Sequence, residues 1–331
     1  MIDAARRPLT AFAITALVFL LGVPAVAAAQ PAPTSADAGR LAYAKIEFGA
    51  GADLFVANPD GSAETPIPLG DIAEDFAVPV WSPDHTRLLI TNMIVFDDQG
   101  ELLRFRPATV NPDGSDYHLV DAAGPTDMYC HAWTPDGLRL LCGIGVDDPG
   151  IFSVRATDGG DPVRLTTNPF GSGDVAWSVS PDGTRFAFLR YRPGPMPEPE
   201  PFRPEAVAIF TARLDGSDVR QVVPYGLAQA HELASASWSP DGRSILSTTK
   251  SGRLFTARWD GGSVRQITLD DQQPGDFAYE PAWSPDGRRV VFTMFRNGQP
   301  DIFITDVDGR DTVRVTNTPD FENGVAWAAG S

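Results

Sequence analysis

The string Trp-Ser-Pro-Asp-Gly, or a near copy of it, recurs along the whole chain and limits its possible folds more than any other feature. It stands as Trp81-Ser82-Pro83-Asp84-His85, Trp133-Thr134-Pro135-Asp136-Gly137, Trp238-Ser239-Pro240-Asp241-Gly242 and Trp283-Ser284-Pro285-Asp286-Gly287. A further copy, Val179-Ser180-Pro181-Asp182-Gly183, has its Trp177 two residues early, and Ala326-Trp327-Ala328 is a truncated sixth. Between the copies, an alternating segment runs into an Asp-Gly turn at residues 54–61, 109–114, 152–159, 209–216, 254–261 and 302–309. Two independent motifs in strict alternation are the mark of a repeat architecture.

Each unit reads as a four-stranded antiparallel meander. Pro presets φ near −65°, Asp bonds its own turn backbone, and Gly takes the left-handed conformation that closes the hairpin. The 31 glycines and 30 prolines of the 331-residue chain suit an all-β protein with many tight turns. The tryptophans at 81, 133, 177, 238, 283 and 327 give each sheet a broad face to bury against its neighbour. Twisted sheets that bury both faces and repeat radially, at about fifty residues each, make a β-propeller. Gly39-Arg40-Leu41-Ala42-Tyr43 matches the second strand of a unit and Val325-Ala326-Trp327 matches a first strand. The expected fold is therefore an all-β, six-bladed β-propeller over 39–331, its ring closed by pairing the C-terminal strand with the N-terminal blade.

The repeated Trp-Ser-Pro-Asp-Gly with its following apolar strand, joined to Asn/Asp-x-Asp-Gly turns, resembles the six-bladed propeller of the TolB family, with its PD40 (WD40-like) repeats. The resemblance covers residues 39–329. It implies a binding or scaffold role, since the TolB propeller docks a peptidoglycan-associated lipoprotein. TolB carries an α/β domain ahead of its propeller, whereas here only a short linker stands there. His85 in a turn-glycine position and the shifted Trp177 depart from the repeat and are expected to be local distortions.

Residues 1–29 read as an export signal. Arg6 and Arg7 precede an apolar run over residues 9–23, and Ala27-Ala28-Ala29 offers a small-residue cleavage site. The run is shorter than the roughly 20 residues a spanning helix needs. The chain is thus expected in the periplasm or outside the cell, not embedded in the membrane, with residues 30–38 as a Pro/Ala/Ser linker. Cys130 and Cys142 flank the turn at Pro135-Asp136-Gly137. With Trp133 set opposite Arg139, outward counting places the two cysteines face to face, so in an oxidising compartment a structural disulfide is expected.

The net charge of −17 argues against nucleic acid and against anionic lipid, both of which need a basic face. No Gly-x-Ser-x-Gly elbow is present, His231-Glu232 lacks the second histidine of a zinc-protease motif, and no Gly-rich loop carries a following lysine. Asp306-Val307-Asp308-Gly309-Arg310-Asp311 begins like a calcium loop, but the same turn recurs in all units, so a hairpin is expected. No cofactor is expected, with Ca²⁺ at the channel mouth the one exception in view.

Both repeated turns fall on one face of the ring, leaving the variable, acidic connections on the other, where rigid scaffolds commonly carry binding loops. The proline-rich insertion over residues 191–205 is expected to be a semi-rigid flap on that face. The candidate binding residues near the starts of the first strands are Asp75, Asp127, Tyr129, Asp174, His231, Glu232, Tyr279, Glu280, Glu322 and Asn323. The expected partner is an envelope protein or peptide, with the chain itself a monomer. No residue is assigned a catalytic role. The alternative is a propeller hydrolase or lyase acting on a sugar or peptide, with paired carboxylates such as Glu232 and Glu280 as acid and base.

Overall fold

The computed structural model describes residues 39–47, 51–69, 78–96, 102–121, 127–144, 150–169, 173–193, 204–228 and 235–329. The export signal, the linker and most of the proline-rich insertion lie outside these residues. Six four-stranded antiparallel sheets make the blades, here given from the inner to the outer strand. Blade 1 is Phe321–Ala329, Gly39–Glu47, Gly51–Ala57 and Thr65–Pro66; blade 2 is Pro79–Trp81, Leu88–Phe96, Leu102–Val110 and His118–Leu119. Blade 3 is Met128–Trp133, Arg139–Ile144, Ile151–Arg155 and Val163–Arg164; blade 4 is Asp174–Val179, Arg185–Pro193, Pro204–Arg213 and Arg220–Val223. Blade 5 is Ser237–Trp238, Ser244–Thr248, Leu254–Arg258 and Val264–Gln266; blade 6 is Phe277–Trp283, Arg289–Arg296, Gln299–Asp306 and Val313–Arg314. The last strand pairs with the first, Leu41 against Trp327 and Lys45 against Glu322, and so closes the ring as expected.

The repeated turn is a small hydrogen-bonded box. In blade 4, Ser180 Oγ donates to Asp182 Oδ1 (2.6 Å) while accepting from the Arg185 amide (3.0 Å), and Asp182 also accepts from the Thr184 amide (3.1 Å). The hydroxyl of the residue before proline donates to the turn aspartate in the same way in blades 2, 3, 5 and 6. The bond from Ser180 is the main reason the Asp182 carboxyl sits below its ordinary range. His85 adopts φ +58°, the same left-handed conformation as Gly183 at +67°, so it fills the glycine's place without changing the turn.

A second recurrent contact ties the two turns together in blades 2, 3 and 4. Arg185, the first residue after the turn, reaches Asp218 between the third and fourth strands through its carboxylate (2.8 Å) and its carbonyl (2.7 Å). Arg139 holds Asp161 and Arg87 holds Asp116 in the same way. Asp116, Asp161 and Asp218 all stand at φ between +52° and +54°, a strained conformation for a non-glycine residue that the guanidinium holds in place. The arginines Arg220 and Arg185 lower the Asp218 carboxyl to about 2.

Blades pack through apolar clusters that alternate with the sheets, such as Leu41, Tyr43, Val291, Ile302, Ile304 and Trp327 between blades 6 and 1. Among the tryptophans, Trp81, Trp133, Trp238 and Trp327 are buried and Trp177 and Trp283 partly so. Two indoles also cross to the preceding blade, Trp133 donating to the Val80 carbonyl and Trp283 to the Ser237 carbonyl, each at 3.2 Å. The Asp-Gly turns abut the preceding blade as well. A Cβ on Gly309 (φ +81°) would lie 2.0 Å from the Thr268 carbonyl oxygen, so both conformation and contact demand glycine.

Cys130 and Cys142 form a disulfide, with Cα atoms 4.0 Å apart. The route to that pairing differs from the expected count. Trp133 stands opposite Leu140 rather than Arg139, and a one-residue bulge at His131 then restores Cys130 opposite Cys142. Trp177 occupies the corresponding bulge of blade 4, which explains its early position in the repeat.

Candidate functional site

The first strands run from the loop face toward the turn face, and their loop-face starts carry the candidate residues. Asp75, His231 and Glu232 lie outside the described residues. The other seven are distributed over blades 1, 3, 4 and 6, and the structure spends most of them between blades.

In blade 4, Asp174 opposes Arg190 across the first two strands. Its carboxylate accepts from Arg190 Nε (2.8 Å) and Nη2 (2.6 Å) and from Thr166 Oγ1 (2.8 Å), so it is a satisfied buried ion pair. The guanidinium also lies over the rings of Phe188 and Phe210, at 5.3 and 5.0 Å. Asp276 of blade 6 is engaged similarly by Arg296, which also binds Asp271 (2.9 Å).

Blade 3 keeps its candidates partly exposed. Asp127 and Tyr129 interact, and burial followed by the Asp127 charge pushes the Tyr129 phenol up to about 12. Arg106 stands close enough to oppose that shift and is itself bonded to Asp121. An anion, a cation and a phenol thus meet at the loop-face end of the neighbouring blades 2 and 3. Beside them His131 stacks on Trp177 of blade 4, with centroids 5.2 Å apart, and burial lowers its pKa to about 4. The neutral imidazole packs between blades 3 and 4.

The remaining four candidates gather at the junction of blades 6 and 1. Glu280 stands at φ +48° within a one-residue bulge, where it and Pro281 oppose Phe292, and its Oε2 accepts from the Gly324 amide of blade 1 at 2.7 Å. Glu322 is fully buried, opposite Lys45, and accepts from Thr318 Oγ1. Among the described residues, its Oε2, the Tyr279 phenol and Asn323 Oδ1 have no hydrogen-bond partner. Burial, reinforced by Asp301 and Asp320, pushes the Glu322 carboxyl up to about 7. Burial and the charges of Glu280, Glu322 and Asp301 push Tyr279 well above its ordinary value.

Among the described residues no group of three or more His, Cys, Asp or Glu side chains is arranged to hold a metal ion. The Asp306–Asp311 segment is a hairpin turn, with the Gly309 amide donating to the Asp306 carbonyl (2.7 Å) and Arg265 bonded to Asp308 (2.6 Å). No described helix is long and apolar enough to cross a membrane. A shallow cleft of about 510 Å³ opens on the turn face, lined by Arg40, Thr65, Thr86, Asn111 and Asp113 among others. Composition and repeat spacing gave no signal for that cleft, nor for the arginine clamps, although the arginine recurs in the sequence just after the turn.

No protein-family model matches the chain, and no curated protein sequence resembles it closely. Solved structures do share its fold. TolB from Acinetobacter baumannii superposes with a TM-score of 0.64 at 18% identity, over 88% of this chain and 67% of that one. A TolB-type protein from Agrobacterium tumefaciens gives 0.58 at 19% identity, over 88% of this chain and 99% of that one. An oligogalacturonate lyase in complex with manganese gives 0.51 at 13% identity, over 86% and 75%. The chain has a TolB-like six-bladed propeller fold, one that binding proteins and enzymes share.

Proposed function

We propose that this chain is an exported binding propeller of TolB-like type, engaging an envelope protein or peptide through its loop face and channel mouth. The observation that carries the reading is the contrast between the two faces. On the turn face the polar groups of successive blades repeat the same serine–aspartate box and arginine clamp, and are consumed by them. The blades differ in chemistry at the loop face: Asp127 and Tyr129 in one place, Asp271 and Arg296 in another. Such variety on a rigid ring suits recognition, and the acidic balance favours a partner with basic groups. The disulfide is compatible with an oxidising compartment.

The enzyme alternative draws no specific support from the site. Glu322 has the raised carboxyl pKa that a general acid needs, yet it is fully buried between blades and out of a substrate's reach.

The test is a crosslinked pull-down from the envelope fraction of the source organism. The bait is compared with a variant carrying Asp127→Asn, His231→Ala and Glu232→Gln, and with a turn-face control, Asp113→Asn. A protein lost only with the loop-face variant is the expected result. Equal recovery with all three baits would overturn the reading, and hydrolysis of glycans and peptides would then be assayed.

A further inference from the structure

The place where the ring closes carries an ion pair that has come undone. Counted from their turns, Glu322 and Lys45 of blade 1 hold the positions that Asp174 and Arg190 hold in blade 4. In blade 4 the two side chains form a doubly bonded pair. In blade 1 the cation is drawn elsewhere: Lys45 Nζ binds Glu64 Oε1 at 2.8 Å, and Glu64 is further held by the Tyr43 phenol. Glu322 is left with the Thr318 hydroxyl and one oxygen without a partner, in a fully buried position.

We propose that Glu322 makes the closure seam a proton-controlled latch, in which the protonated side chain keeps the loop-face end of the last strand paired with the first and its ionisation loosens that end. A buried carboxylate without a counter-charge is costly, and opening the strand end to water relieves the cost. The groups around Glu322 reinforce this. Asp301 on the third strand of blade 6 and Asp320 on the preceding connection repel an ionised Glu322, and Tyr279 and Glu280 from the first strand of blade 6 bring a phenol and another acid. From the neighbouring strand, Tyr43 and Lys45 face it; the two cations of this neighbourhood are both committed, Lys45 to Glu64 and Arg314 to Asp301. Blade 1 alone among the six sheets is built from both ends of the propeller, so this is where a local opening breaks the ring. The pairs released, Lys45–Glu322 and Ile46–Phe321, lie at the loop face, so the latch would tune the surface assigned above to binding. The latch itself does not depend on that assignment.

Hydrogen exchange of the purified protein between pH 4.5 and 8.5, corrected for the intrinsic rate, tests this on peptides spanning 321–325 and 43–47. With Glu322 at about 7 in the closed seam and its ordinary 4.5 when open, the opening constant rises about tenfold per pH unit over that interval. It gains about 300-fold in total and levels off above pH 7. Glu322→Gln, which imitates the protonated form, should hold the seam's protection constant across the range. Glu64→Gln frees Lys45 to meet Glu322 and should shrink the rise well below the wild-type value, a test that stands even if the first variant does not fold. A flat wild-type profile, a Glu322→Gln profile that follows wild type, or an undiminished rise in Glu64→Gln would each overturn the latch.

Discussion

Asp174→Asn should be among the most damaging single substitutions in the propeller, and the structure says why. The carboxylate is 2% exposed and accepts three hydrogen bonds, two of them from Arg190, itself 7% exposed. An asparagine keeps the shape but leaves the guanidinium buried without its counter-charge. Breaking one side of such a pair costs about 3–5 kcal/mol. The double variant Asp174→Asn/Arg190→Met removes the stranded charge and places an apolar chain beside Phe188 and Phe210, so it should recover at least half of that loss. The assay is urea unfolding followed by tryptophan fluorescence, with the midpoint and slope compared among wild type, the single variant and the double. A single variant within about 1 kcal/mol of wild type, or a double variant no better than the single, would refute the reasoning, because either would mean that the pair is not an isolated buried charge couple.

Three further outcomes follow from the packing. Gly309→Ala should cost about 2–4 kcal/mol, from left-handed strain and collision with the Thr268 carbonyl; Gly137→Ala, with the same sign of φ and open space around it, should cost about 1, and equal unfolding midpoints would contradict this. Replacing both Cys130 and Cys142 by Ala frees a short loop and should lower stability by about 3 kcal/mol, with added reductant having no further effect on the variant. His131 has a folded pKa of about 4 against an ordinary 6.5, so the unfolded chain binds the extra proton and stability falls as pH drops through that interval; His131→Phe should flatten this part of the stability profile, and an unchanged slope would count against it.

The architecture was legible in the sequence because its signals repeat. A proline, an aspartate and a glycine at fixed spacing dictate the same turn wherever they occur, and Gly39-Arg40-Leu41 against Val325-Ala326-Trp327 announced the closure. The site was far less legible. Strand alternation predicts which side a residue faces only while the register holds, and the first strands bulge. One extra residue at His131, at Trp177, in the Glu280-Pro281 step and between Asn323 and Ala326 shifts every residue beyond toward a face that simple counting misses. Glu322 and Tyr279, read as rim residues, are therefore packed between blades. The disulfide was anticipated from a register that is one residue out at Trp133, and the bulge made up the difference. The arginine clamps of blades 2, 3 and 4 were visible as a recurrence but not as a contact, since their partners lie on the far turn of the same blade.

The central claim is that the loop face, and not the turn face, meets a partner. Its most direct test is site-specific photocrosslinking in the native envelope, with the photoreactive residue placed at Phe295 on the loop face or at Leu138 on the turn face. These positions are 39% and 66% exposed, so both can report. The account predicts a discrete crosslinked product from position 295 and none from position 138. No product from position 295, or the same product from both, would contradict it.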